Sequence, residues 1–132
     1  MLTLEDARLV IAAAERRAEE VGQPMNIAVV DAGGNLTAHV RMDDAKFASA
    51  TIAINKAYTA VALKTETREL APKTQPGGPL FGLSDAAGGR IVVFPGGVPL
   101  LRDGQVGGAV GVSSGTIEQD QDVATAGALA LS

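Results

Sequence analysis

Between Lys46 and Lys64 the chain carries one charged residue, Lys56, in a run otherwise made of uncharged and mostly apolar side chains. At about 100° per residue, Phe47, Thr51, Ile54, Tyr58 and Val61 share one face, and Ala50, Ala53, Ala57 and Ala60 take the neighbouring flank. Ile52 and Leu63 fall on the far side. A helix over 45–63 that is apolar nearly all round has to be covered on most sides, so the rest of the chain must supply layers around it.

The flanking segments read as those layers. Residues 3–21 form an amphipathic helix, with Thr3 as N-cap and Leu4, Ala7, Val10, Ile11, Ala14, Ala18 and Val21 on one stripe. Two extended runs, 26–31 and 36–41, surround Gly33-Gly34 and predict a hairpin. Residues 64–89 are irregular, with a short helical piece among Pro72, Pro76, Gly77, Gly78 and Pro79. Three runs, Arg90 to Pro95, Val98 to Arg102 and Val106 to Val112, predict an antiparallel meander broken at Pro95-Gly96-Gly97 and Asp103-Gly104. A last helix runs from Ile117 to Ala130, capped by Thr116 with Gln119 three residues on. The order α-ββ-α-βββ-α therefore predicts an α/β (α+β) fold in one domain over 1–132, a five-stranded antiparallel sheet flanked by helices.

Composition excludes several functions. The 132 residues contain no Cys, which removes disulfides, thiolate nucleophiles and Cys-ligated metals. A net charge of −4 without any basic stretch argues against nucleic acid. No apolar run reaches the ~18 residues of a membrane span, and the acidic N-terminus is unlike a signal peptide, so the expected location is the cytoplasm. The same Cys-free composition also suits an exported, processed chain. With 23 Ala and 16 Gly beside only Phe47, Tyr58, Phe81 and Phe94 as aromatics, the surface suits close subunit contact, and a homo-oligomer is expected.

Four places can carry chemistry. A lone ammonium on a buried helix needs a counter-charge, so Lys56 either holds an anionic ligand or pairs within the chain. Arg41, at a strand end before Asp43 and Asp44, suits a bidentate carboxylate clamp or a local ion cluster. Glu118 and Asp120 open the last helix, where acids complement the dipole or serve as general acid/base groups. His39 is the sole histidine, on the same strand face as Thr37 and Arg41. One imidazole rules out two-His metal sites, and no other metal-ligand spacing is present. The glycines form neither G-x-G-x-x-G nor a P-loop, and no G-x-S-x-G exists.

Five ordered motifs carry a resemblance: Val29-Val30-Asp31-Ala32-Gly33-Gly34-Asn35-Leu36, Arg41-Met42-Asp43, Lys56-Ala57-Tyr58-Thr59-Ala60, Gly96-Gly97-Val98-Pro99-Leu100, and Gly108-Ala109-Val110-Gly111-Val112-Ser113 followed by Glu118-Gln119-Asp120. They resemble the GlcG/HbpS family of haem-degrading domains, related also to the PduO C-terminal domain, over nearly the whole chain. The resemblance implies a profilin- or PAS-like sandwich, assembly from dimer up to octamer, and haem or a corrinoid-related group as ligand or partner. Other members sit in bacterial small-molecule catabolism. It places Arg41, Lys56, Tyr58 and the Glu118-Gln119-Asp120 group near a shared pocket. Asp44 stands where many relatives have Gly, and Ser84 where some have His.

Three readings follow. In the first, Lys56 and Arg41 pair the propionates of haem, with Tyr58 and Phe47 against the ring. In the second, a cofactor-independent enzyme binds a small carboxylate metabolite through Arg41 and Lys56, and Glu118, Asp120 or His39 moves a proton. In the third, the protein is a non-catalytic accessory or assembly factor.

Overall fold

The computed structural model describes residues 2–131. Helix α1 spans Leu4–Val21, and Thr3 and Asp6 close a reciprocal capping box at its start. Strands β1 (Asn26–Asp31) and β2 (Leu36–Arg41) form the expected hairpin. Its turn is built by the Asp31 carboxylate, which accepts from the backbone N–H groups of Gly33 at 2.9 Å and Asn35 at 3.0 Å. Helix α2 is Ser49–Leu63, β3 is Gly97–Arg102, β4 is Gln105–Ser113 and α3 is Ile117–Leu129, the last with its Thr116–Gln119 capping box. Between α2 and β3 the chain makes only three short 3₁₀ turns, at Thr67–Leu70, Leu83–Asp85 and Ala87–Gly89.

The sheet has four strands, not five, in the order β2-β1-β4-β3 with every pairing antiparallel. The run expected as a further strand, residues 90–95, pairs with none of them. Its backbone is satisfied by a side chain of α2 instead: the N–H of Val92 donates to Thr59 Oγ1 at 2.9 Å, and the Thr59 hydroxyl donates to the carbonyls of Asn55 and Arg90. Pro99 carried the warning. A proline lacks the donor a central strand needs, so β3 had to be the sheet edge.

Strand alternation divides the molecule into three layers. Ile27, Val29, Val98, Leu100, Val110 and Val112 point to α1 and α3 and form the main core with Val10, Ile11 and Val123. Val30 and Ala109 point the other way, to Ala57, Ala60 and Val61 of α2. The Ala flank of α2, joined by Val61, lies against the sheet, because Gly111 of β4 lets the backbones meet: a Cβ there would run into the carbonyl of Ala53 and the N–H of Ala57. Helix α2 sits over β1, β3 and β4 and meets β2 only glancingly. One face of β2 is therefore left open.

Candidate functional site

The sole charge inside α2 is fully buried. Lys56 Nζ donates to the carbonyl of Val112 at 2.8 Å and to Asp120 Oδ2 at 2.9 Å, and stands 5.0 Å from the centre of the Phe94 ring. The other oxygen of Asp120 accepts the N–H of Gly115 at 2.9 Å. Gly96 makes room for the ammonium: a Cβ there would come within 2.7 Å of Nζ, and its φ of +126° is one that side chains rarely adopt. Burial pulls the amine pKa below its ordinary value, opposed by the charge and hydrogen bond of Asp120. The pair passes round the end of the sheet and joins α2 on one face to α3 on the other. Each direction of the ammonium is occupied, so in this arrangement it offers nothing to a ligand.

The second polar centre lies on the open side of β2. Asn26, fully buried at the head of β1, donates from Nδ2 to the carbonyl of Lys46 at 2.8 Å and to Ser114 Oγ at 3.2 Å. A carbonyl can only accept, so the amide is oriented with Oδ1 toward His39 Nε2, 3.0 Å away. Oδ1 likewise only accepts. In the neutral ring Nε2 therefore carries the proton and Nδ1 the lone pair, and among the described residues Nδ1 has no hydrogen-bond partner. Partial burial first, and then the Arg41 charge, hold the imidazole below its usual pKa of 6.5, which keeps that lone pair available at neutral pH. Metal-ligating histidines commonly donate their other ring N–H to an oxygen acceptor, and here the Asn26 side-chain oxygen occupies that position.

Other expected residues are distributed over the β1–β2 hairpin, α2 and the segment before it. Arg41 shares the strand face, and its Nη1 donates to the carbonyl of Ala45 at 3.1 Å. Phe47 precedes α2 and is 84% exposed. Tyr58 closes on Gly34 of the hairpin turn, and the Arg90 guanidinium lies flat on its ring, 3.7 Å from the centre. Lys56 and Asp120 belong to the buried pair. Glu118 is exposed in a shallow depression of about 310 Å³ with Pro95, Ile117 and Gln121, and Gln119 is engaged in the cap of α3. Arg41 and Lys56 are thus not gathered into one pocket: Arg41 lines a depression with Glu15, Glu19 and Asp43, whereas the Lys56 ammonium is buried against Val112 and Asp120. Among the described residues no cluster of three metal-ligating side chains occurs, and no helix is long and apolar enough to cross a membrane.

Two participants went unnoticed in the sequence. Asn26 had a signal, a lone amide opening a strand whose next four residues are Ile, Ala, Val and Val. Arg90 had none, since its partners come from a helix thirty residues back in the chain.

The family model of the haem-degrading HbpS-like proteins matches residues 2–129. An uncharacterized 15.0 kDa protein from the dhaT-dhaS intergenic region of Citrobacter freundii is 47% identical over 120 residues, 91% of this chain and 84% of that one. The corrinoid adenosyltransferase PduO of the same organism is 44% identical over 123 residues, which are 93% of this chain but 37% of the longer protein. A crystal structure of a PduOC–heme complex superposes with a TM-score of 0.93 at 42% identity, covering 98% of this chain and 94% of that one.

Proposed function

Because the chain belongs to the HbpS-like family of haem-degrading proteins, we propose that it binds haem or a related tetrapyrrole on the open side of β2, with His39 as the iron ligand. The observation that carries this reading is the half-buried His39 imidazole, whose Nε2 meets Asn26 Oδ1 at 3.0 Å while Nδ1 has no hydrogen-bond partner among the described residues, in a chain 42% identical to a protein solved as a heme complex. The donor set fits the group. His39 supplies a nitrogen ligand, Arg41 is the nearest cation on the same strand face, and Phe47 and Tyr58 offer aromatic faces to a macrocycle. Haem, when bound, supplies the iron's redox and oxygen chemistry, and the chain's residues hold and orient it. The exposed Phe47, Phe81 and Leu129 suit a homo-oligomer that covers part of the bound group.

The small-carboxylate enzyme reading has less support, since Lys56 and Asp120 satisfy each other. Titration of the purified protein with haemin, against an unrelated acidic protein, separates the two. Saturable one-to-one growth of a Soret band is expected. Weak, unsaturable binding equal to the control would overturn the haem reading.

A further inference from the structure

The cations of the chain are not equally engaged. Arg17, Lys56, Arg68 and Arg102 are paired with carboxylates, and Arg41 shares a surface depression with Glu15, Glu19 and Asp43. Arg8, Arg16, Lys46, Lys64 and Lys73 also form no ion pair among the described residues, but of the unpaired cations Arg90 is the one that lies over an aromatic ring. Its Nε donates to Asn55 Oδ1 at 3.2 Å and its plane lies on Tyr58, yet among the described residues it forms no ion pair. With Nε used, the Nη1–Nη2 edge remains, and that is the edge that takes a carboxylate through two parallel hydrogen bonds.

The arrangement is rigid in advance. Stacking fixes the plane, the Asn55 contact fixes rotation within it, and Arg90's own backbone carbonyl is tied to Thr59. Little side-chain freedom is left to lose when an anion arrives. Tyr58 also touches the β1–β2 turn, which puts the guanidinium on the same side of the sheet as the open face of β2.

We propose that Arg90, held on Tyr58 and Asn55, is a docking point for a ligand carboxylate. In the haem complex that carboxylate is a propionate, a step that rests on the haem reading, whereas the carboxylate chemistry rests on the Arg90 geometry alone.

The experiment has two arms. In the first, haemin and haemin dimethyl ester, whose propionates are masked, are titrated into wild type and Arg90→Gln. Wild type should bind haemin roughly tenfold more tightly than the ester, and Arg90→Gln should remove most of that preference. Arg90→Lys should restore only part, because an ammonium neither stacks nor forks. Equal binding of both ligands by wild type, or a preference unchanged in Arg90→Gln, would overturn the propionate assignment. The second arm uses succinate and reads Tyr58, the single tyrosine in a chain without Trp, by its fluorescence. A saturable change lost in Arg90→Gln supports the carboxylate site even if haemin does not bind at all. With neither a succinate response nor an ester effect, the proposal fails. A thermal melt of Arg90→Gln close to wild type shows that the comparison is between folded proteins.

Discussion

Lys56 and His39 are both polar groups set among apolar neighbours, and the fold treats them in opposite ways. Lys56 is closed: two hydrogen bonds and an aromatic face surround its ammonium, and its carboxylate partner is itself held by a backbone N–H. His39 is open: one nitrogen is spent on Asn26 and the other has no hydrogen-bond partner among the described residues. The difference comes from what lies over each strand. Helix α2 covers the β3 side of the sheet and leaves β2 uncovered on the same face. An isolated charge in an apolar helix is thus a statement about folding, whereas a half-satisfied polar group on an uncovered edge is a statement about ligands.

The largest expected effect breaks the closed side. Lys56→Met leaves Asp120 as a buried, unpaired carboxylate, and should lower the unfolding free energy by about 3–5 kcal/mol in urea titration. The pair is coupled, so adding Asp120→Asn to Lys56→Met should recover part of that loss rather than add to it. A strictly additive double variant would contradict the description of the two as one unit.

On the open side the expected stability effect is smaller and the ligand effect larger. His39→Ala should cost about 1 kcal/mol or less, since water can reach Asn26 from the half-exposed position. Acid acts on the same residue. The His39 pKa is lowered on folding, so between that value and the ordinary 6.5 the unfolded chain binds the proton and the folded chain does not. Its contribution is intact above about pH 6.5 and declines as pH falls through the folded value. His39→Ala should flatten the part of the stability–pH curve below pH 6.5, and a curve unchanged by the substitution would place the titration elsewhere. The smallest effect concerns backbone. Asp44 has a φ of 69°, so Asp44→Gly should be neutral or raise stability by up to about 1 kcal/mol.

Much of the fold was legible because it rests on local chemistry. Both capping boxes, the Asp31-Gly33-Gly34-Asn35 turn and the amphipathic stripe of α1 are written within a few residues of each other. The strand expected at residues 90–95 was misread because Ile91-Val92-Val93 has strand composition, while the partner that satisfies its backbone, the Thr59 hydroxyl, is remote in sequence. The candidate site divided along the same line. Lys56 stood out as a charge that burial must answer, but the choice between a ligand and Asp120 as its partner depended on how α3 returns to the sheet. The tautomer of His39 depended on Asn26 and on the carbonyl of Lys46, three segments that only the hairpin and the loop before α2 bring together.

The division between a closed, structural pair and an open imidazole proposed as the iron ligand is tested most directly by haemin titration of His39→Ala, with imidazole then added to the variant and thermal melts run alongside. The account predicts a melt close to wild type, a Soret shift lost in the variant, and its partial return when free imidazole fills the vacated position. Haemin binding by His39→Ala with wild-type affinity and an unchanged spectrum would contradict it.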